Sequence, residues 1–412
     1  MHILYVSQYF PPEPGAPAAR VSELARAWVQ AGHQITVLTG MPHHPTGLVP
    51  PEYRRRVLVS EDFHGVRVVR TWIYAAANRG RLRRSLAYAS FAASAALWGQ
   101  FHVGRPDVLV ATSPQFLCAV AGHAIARTRS LPFVFEVRDL WPESIVAVGA
   151  LSAGHPVVRG LTLVEEHLYR RADRIVVVTD SFGTRLRQRG VPAHKIEVVK
   201  NGVDLDRFVP GSHDTPLRER LGFAGKFVVG YVGTHGMAHG LDSVLDVAAA
   251  LRPHDRIRFL FVGEGAERQR LQARAKNEAL ENVVFLGALP RDAMNEVYAT
   301  SDLCLVPLRK SELFQTVLPS KIFEILGMAR PVLLSVDGEA RALVEASGGG
   351  VFVPPEDVPA MTEAILRLAQ EPAACQDMGE RGRAYVKQHF DRKQLAARYL
   401  EILQEVAERG RA

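Results

Sequence analysis

Residues 227–251 read Phe-Val-Val-Gly-Tyr-Val-Gly-Thr-His-Gly-Met-Ala-His-Gly-Leu-Asp-Ser-Val-Leu-Asp-Val-Ala-Ala-Ala-Leu. The first six are apolar or small and predict a buried strand, a glycine-rich turn follows, and 243–251 carries helical periodicity. A strand running through a short turn into a helix is the unit of a doubly wound parallel sheet. Outward from this stretch the alternation repeats. In the first half the predicted strands are 2–6, 34–38, 66–70, 108–111, 133–137, 175–178 and 196–199. In the second half they are 227–232, 258–262, 283–286, 303–306, 332–335 and 350–353. Helical stretches such as 18–31, 267–277 and 358–369 lie between strands. Near-continuous apolar strands point to parallel sheets covered on both faces. Two such series, each roughly 200 residues long, predict an α/β chain of two doubly wound, Rossmann-like domains facing a cleft. The turn-rich stretch 206–225, with Pro210, Gly211, Pro216, Gly222 and Gly225, is the expected junction. Domain one is then 1–205 with a returning C-terminal helix, 391–412, whose Leu395, Tyr399, Ile402, Leu403 and Val406 form one stripe. Domain two is 206–390.

Composition bounds the remaining classes. The chain has 412 residues, 47% apolar and 23% charged, with 33 Gly and 25 Pro. That excludes wholesale disorder, collagen-like repeats and coiled coil. Three widely spaced cysteines, Cys118, Cys304 and Cys375, fit neither a disulfide scaffold nor a zinc site, and predict a reducing cytosol. The chain opens directly into a strand with no secretory signal pattern before it. Net charge is +7, and its distribution is uneven: 1–205 carries 24 Lys and Arg against 15 Asp and Glu, while 206–412 carries 26 against 28. The basic half suits an anionic partner, whether phosphorylated substrate, acidic membrane or nucleic acid; a surface kept basic for solubility explains it equally well.

Several segments carry candidate chemistry. In 318–332, Leu-Pro-Ser-Lys-Ile-Phe-Glu-Ile-Leu-Gly-Met-Ala-Arg-Pro-Val, Pro319 and Ser320 are expected to start a helix with Ser320 as N-cap. The free N–H groups and dipole of such an end suit a diphosphate, and Lys321 adds a full charge. Glu324 lies one turn on and can accept two hydrogen bonds from a ribose diol. The turn 230–240 offers backbone amides to phosphate. Gly15, in 8–17, lets a ligand approach a helix start. In 133–143, Glu136, Arg138 and Asp139 fall at the carboxyl end of a strand, where an open sheet keeps its site; a structural ion pair is the plain alternative. The segment 42–47, Pro-His-His-Pro-Thr-Gly, with Arg54, Arg55 and Arg56, reads as a binding loop rather than a metal site. Arg79, Arg81, Arg83 and Arg84 precede 85–101, which has no charged residue. It fits a helix lying on an anionic membrane and a buried core helix equally, and is too mildly apolar for a span.

Taken together these segments resemble a retaining glycosyltransferase of the two-domain GT-B fold, family 4. The resemblance runs nearly end to end: Val199-Lys-Asn-Gly-Val-Asp204 with Phe208, Val262-Gly-Glu-Gly265, 284–290 followed by Tyr298 and Ser301-Asp302, and 318–332, which matches the family's E-x7-E region. Within the family it is most similar to bacterial O-antigen and capsule enzymes, such as N-acetyl-fucosamine transferases, that carry R-D-L-W-P-E and P-S-K-I-F-E. The resemblance implies that Glu324 holds the ribose. It places Thr316 where the family has the first Glu, at the donor sugar, and Thr234 and His239 where the family has the Arg and Lys that bind the diphosphate. Ser320 and Lys321 are then expected to neutralise the diphosphate, helped by Arg309 or Lys310, with Gly15 nearby. Asp139 and Arg138 take the acceptor-side catalytic position.

The function expected on this basis is transfer of a sugar from a UDP-sugar to a hydroxyl of a glycan precursor, with retention, in cell-surface polysaccharide synthesis. The acceptor expected is a polyprenyl-diphosphate-linked glycan at an anionic membrane surface. No metal and no cofactor are expected, the nucleotide sugar being a substrate, and no nucleic-acid partner. The expected location is the cytoplasm, peripheral to the inner face of the plasma membrane. Domain closure about 206–225 is expected to bring Asp139 to the donor. The rival reading, motivated by Thr234, His239 and Thr316, is a non-catalytic subunit that binds nucleotide or glycan. A dinucleotide-dependent oxidoreductase is excluded by the missing glycine fingerprint.

Overall fold

The computed structural model describes the chain except Pro45, 76–80, Pro114, Gln115, Val148, Ala150 and Ala412, and except the side chains of Arg81, Leu82, Arg84 and Arg411. Of the basic cluster noted above, Arg79 and the side chains of Arg81 and Arg84 therefore lie outside the described residues. The chain forms two compact units, Met1–Lys200 with Arg392–Ala412, and Asn201–Asp391. The boundary falls at Lys200 and Asn201. The turn-rich stretch 206–225 belongs to the second unit, where Leu217 and Phe223 are buried and Thr215 caps the helix Pro216–Arg220.

The first unit is built on one eight-stranded sheet. Its strands are β1 (His2–Val6), β2 (Gln34–Gly40), β3 (Leu58–Phe63), β4 (Val66–Thr71), β5 (Val108–Thr112), β6 (Phe133–Val137), β7 (Arg174–Val177) and β8 (Ile196–Val198). The order is β3-β4-β2-β1-β5-β6-β7-β8. The central strands β1, β5 and β6 are buried at every residue, which is why their sequences are almost wholly apolar, with Glu136 the one charged side chain among them. Strand β3 departs from the expected all-parallel arrangement. It pairs antiparallel with β4 through a tight turn in which His64 and Gly65 both take positive φ, 54° and 82°. Its sequence Leu-Val-Ser-Glu-Asp-Phe is polar and half-exposed, so it carried no buried-strand signal.

Helix Arg392–Arg411 closes on helix Ala16–Gln30: Trp28 donates from Nε1 to the Ala396 carbonyl at 2.9 Å and meets Tyr399 edge-on at 5.4 Å. Helix Arg81–His102 has two apolar sides. Ala87, Phe91 and Ala95 face the core, and at Gly99 a Cβ would stand 2.6 Å from Ile125 of the neighbouring helix Leu117–Thr128. Leu86, Leu97 and Phe101 point outward, 48%, 58% and 74% exposed. The core reading of 85–101 thus holds for one face, and the opposite face leaves large apolar side chains exposed. No helix among the described residues is long and apolar enough to cross a membrane.

The second unit has a six-stranded, all-parallel sheet of β9 (Phe227–Val232), β10 (Ile257–Val262), β11 (Val283–Leu286), β12 (Leu303–Pro307), β13 (Val332–Ser335) and β14 (Gly350–Phe352). Its order, β11-β10-β9-β12-β13-β14, reverses direction between β9 and β12. In the first unit the reversal falls between β1 and β5. Loops leaving the carboxyl ends of strands at such a reversal diverge to opposite faces and leave a crevice, so each unit has one predetermined place for a ligand.

Candidate functional site

In the second unit that place is framed by the exit of β9, the exit of β12 and helix Lys321–Gly327. Strand β9 is followed by Gly233, whose φ of 142° disfavours any side chain, and a Cβ there would stand 2.7 Å from Lys321 Nζ and displace it. Gly263 and Gly265, after β10, likewise lie directly against the carbonyls of Gly233 and His235. The two loops are locked by His235 N donating to the Glu264 carbonyl and Glu267 N to the His235 carbonyl, both at 2.9 Å.

Lys321 opens the helix and folds its side chain back over β9, placing Nζ 4.0 Å from the centroid of the Tyr231 ring. The ammonium is buried there with no hydrogen-bond partner. Loss of water is the dominant influence on it, and its pKa falls to about 7, with Glu324 opposing the shift. His239 and His235 flank the same ring, at 6.1 and 5.7 Å. Burial, reinforced by the charge of Lys321 and, for His235, of Arg268, lowers them to about 3 and about 4, so both are neutral. Nδ1 of His239 and both ring nitrogens of His235 are buried without a partner. Orphaned buried nitrogens of this kind are rare in a satisfied core, and a ligand or ordered water would complete them.

Glu324, one turn along the helix, accepts from Tyr298 Oη at 2.9 Å and faces Arg291 at 3.9 Å. Ser320 precedes the helix as expected but does not cap it. Its backbone is already helical and its hydroxyl makes no capping bond, because the turn at Pro319 begins to coil before the helix proper. Thr316 spends its hydroxyl on the Leu313 carbonyl at 2.6 Å. Thr234 is exposed, and its carbonyl, not its hydroxyl, is engaged, by Tyr231 Oη at 2.6 Å. Arg309 and Lys310 follow β12; Arg309 donates its N–H to Ala238 at 2.9 Å and faces Glu356.

In the first unit, Gly15 has φ 110° and precedes helix Ala16–Gln30. Arg138, leaving β6, donates from Nη2 to the Ala16 carbonyl at 3.2 Å, while its Nε and Nη1 are buried without a partner. Ser113, leaving β5, accepts from the backbone of Arg138 at 2.7 Å and of Asp139 at 3.3 Å. Asp139 is raised to about 6, mainly by burial, with Ser144 and the Leu140 backbone opposing. Gly15 and Arg138 are thus brought together at the carboxyl edge of this sheet. Glu136 is not available for chemistry. It is fully buried and accepts from Tyr5 Oη, Arg20 Nε and Thr112 Oγ1, the structural pairing weighed as the alternative above.

Sequence reasoning missed Tyr231, His235 and Ser113, and named Tyr298 only as a mark of the resemblance, because each looks like ordinary core or loop until the strand exits are assembled. It also missed Glu13. That side chain accepts from the backbone N–H of His43 and His44 at 3.0 and 2.9 Å, is 5% exposed, and is raised to about 7 by burial.

Comparison with known proteins converges on one class. Residues 15–202 match the Glycosyl transferase 4-like domain family, and residues 226–371 match Glycosyl transferases group 1. The two matches take in most of the chain, one in each unit, and the chain belongs to these GT-B glycosyltransferases. The colanic acid biosynthesis glycosyl transferase WcaI of Escherichia coli is 25% identical over 394 residues, 92% of this chain and 96% of that protein. A GDP-mannose-dependent alpha-mannosyltransferase of Mycobacterium tuberculosis is 30% identical over 250 residues, 60% of each. Among solved structures, sucrose-phosphate synthase from Thermosynechococcus elongatus superposes with a TM-score of 0.77 at 18% identity, covering 98% of both chains. Anabaena HepE in complex with UDP-glucose gives 0.75 at 19%, covering 98% of this chain and all of that one.

Proposed function

We propose that this protein transfers a sugar from a UDP-sugar to a hydroxyl of a glycan precursor, with retention of configuration and without a metal ion. The observation that carries the reading is Lys321: an amine buried beside the glycine-rich exit of β9, at the sheet's reversal point, with no hydrogen-bond partner among the described residues. In this reading Lys321 and the backbone at Ser320 neutralise the diphosphate, Glu324 holds the ribose diol and Thr316 borders the donor sugar. His239 and Thr234, which replace permanent cations, complete the turn around the phosphates. A cation aimed at the leaving diphosphate acts where negative charge grows in the transition state, which is the interaction that accelerates a glycosyl transfer. The leaving phosphate oxygen accepts the acceptor's proton on the same face, so no covalent nucleophile is required. Asp139 contacts the reacting sugar or acceptor hydroxyl, and Arg138, beside Gly15, meets phosphate charge from the first unit.

The donor sugar is proposed to differ from plain glucose or mannose, in line with the N-acetyl-fucosamine-type resemblance. Thr316 carries no carboxylate, and its hydroxyl is already committed to Leu313. The acceptor is proposed to be a polyprenyl-diphosphate-linked glycan met at an anionic membrane surface on the cytoplasmic side. Two features support this. Residues 63–106 contain no Asp or Glu and seven Arg, a local excess equal to the net charge of the whole chain. Within that stretch Trp72, Tyr74, Leu86, Leu97 and Phe101 are exposed. An apolar and aromatic face with basic neighbours is the composition of a segment that lies on anionic lipid.

The experiment is release of free UDP or GDP from a panel of nucleotide sugars by the purified protein and by Asp139→Ala, with EDTA present throughout. Release that the variant loses supports the reading, and a strict need for added divalent metal overturns its metal-free part. The second reading, a nucleotide- or glycan-binding subunit without turnover, is favoured by the committed hydroxyl of Thr316 and the exposed Thr234. Tight nucleotide binding with no release from any donor would establish it.

A further inference from the structure

Four buried nitrogens without hydrogen-bond partners among the described residues gather around one aromatic ring in the second unit: Lys321 Nζ, His239 Nδ1, and Nδ1 and Nε2 of His235. Their common centre is Tyr231, fully buried, with its hydroxyl fixed on the Thr234 carbonyl at 2.6 Å. The other ionisable groups facing this cluster do little to hold a charge on it. Glu324 shares the helix but is engaged by Tyr298 at 2.9 Å. Cys304, on β12, is a thiol that burial pushes up to about 12 and so stays uncharged. Arg268 and Lys321 repel charge from His235, and Arg309 lies against Gly240.

We propose that the diphosphate site takes up a proton when its ligand binds, on Lys321 first and on His239 second, with Tyr231 the positioning residue that seats Lys321 until the ligand draws it away. This rests on the nucleotide-diphosphate reading above and adds its regulation by pH. Over the Tyr231 face, at 4.0 Å, the Lys321 nitrogen makes no directional bond that must be broken before it can leave. The flexible lysine stem can therefore swing Nζ from the ring to an incoming phosphate while its backbone stays fixed. Burial disfavours the charged form of every nitrogen in the cluster, and a nearby phosphate reverses that preference. The burial-lowered pKa of Lys321, about 7, agrees with this geometry: above that pH the site waits largely uncharged. Gly233 is required for the resting arrangement, because any side chain there would meet Nζ.

The test is calorimetric titration of the intact protein with UDP at pH 8, in two buffers of different ionisation heat. At that pH the terminal phosphate of UDP, whose second pKa is about 6, is already ionised and contributes no proton. The expected result is a buffer-dependent heat equal to uptake of about one proton, and UDP affinity that falls about tenfold per pH unit from 8 to 9. Lys321→Met should bind UDP more weakly and lose most of the uptake. Tyr231→Leu should lose uptake because the unseated lysine is charged in water beforehand, whereas Tyr231→Phe keeps the ring and should retain it. UDP binding with heats identical in both buffers overturns the proposal and leaves the function reading standing. Failure of the protein to bind either UDP or GDP overturns both.

Discussion

Arg20 donates from Nε to Glu136 Oε1 across 3.0 Å, with both side chains sealed from solvent. The guanidinium also caps the carbonyls of Val199 and Lys200 at 3.1 and 3.2 Å, and so ties helix Ala16–Gln30 to the end of the chain's first pass through this unit. Desolvation pushes the Glu136 carboxyl up, but Arg20, Arg138 and the hydroxyls of Thr112 and Tyr5 together outweigh it and hold the carboxyl below the usual range. Removing one partner of such a pair leaves a buried charge. Arg20→Met is expected to lose about 3–5 kcal/mol of stability. Urea unfolding reads this directly, and a loss below about 1 kcal/mol would mean that Tyr5 and Thr112 suffice to hold Glu136.

The Glu13 carboxyl makes the stability of the fold depend on pH. Burial raises its pKa from 4.5 to about 7 in the folded chain. Between those values the folded state holds a proton that the unfolded state has released, so stability falls as pH rises through that window. Glu13→Gln keeps an oxygen for the backbone N–H groups of His43 and His44 and cannot ionise. The variant is expected to show a smaller drop in urea midpoint between pH 5 and pH 8 than the parent.

Asp139 predicts a pH dependence of turnover. Its pKa is raised to about 6, so the carboxylate fraction grows from pH 5 to pH 7. If the ionised form contacts the reacting centre, the rate of UDP release rises across that range with a midpoint near 6. Asp139→Asn is expected to lower the rate by at least tenfold and to flatten the profile. An unchanged midpoint in the variant would assign the titration to another group.

Glu324 and Tyr298 predict recognition of the ribose. Tyr298 Oη fixes one carboxylate oxygen at 2.9 Å, which sets the direction of the group. Glu324→Ala is expected to weaken UDP binding by about tenfold, the scale of one or two hydrogen bonds to a charged group. Deoxy-UDP lacking the diol should bind the parent and the variant alike. A variant that still discriminates between UDP and its deoxy analogue would place the ribose elsewhere.

The exposed face of helix Arg81–His102 predicts salt-sensitive membrane binding. Leu97→Ser with Phe101→Ser removes two large side chains that are 58% and 74% exposed, so folding is expected to be unaffected. Co-sedimentation with vesicles rich in anionic lipid should fall several-fold in this variant, and should fall in the parent when salt is raised. Equal binding by parent and variant at both salt concentrations would remove this face from any membrane role.

The strands were legible because a parallel sheet covered on both faces admits almost nothing but apolar residues, and runs such as Ile3–Val6 and Leu303–Val306 have no other common explanation. Strand β3 was not legible, since a half-exposed edge strand alternates weakly and its hairpin turn is a plain His-Gly pair. At the site, Lys321 and Glu324 could be picked out because a Ser-Lys-x-x-Glu pattern at a helix start has a chemical reading of its own. Tyr231 and His235 could not, because each is an apolar-looking or ordinary turn residue in one dimension. Local periodicity was enough for two mainly parallel sheets and for the helix start that carries Lys321 and Glu324; the strand orders, and with them the reversal points, came from the folded chain. Tertiary structure decided that the ammonium of Lys321 rests on Tyr231 beside two uncharged histidines. That choice depends on which loops leave neighbouring strands and how closely glycines let them approach, contacts between residues up to about ninety positions apart in the chain.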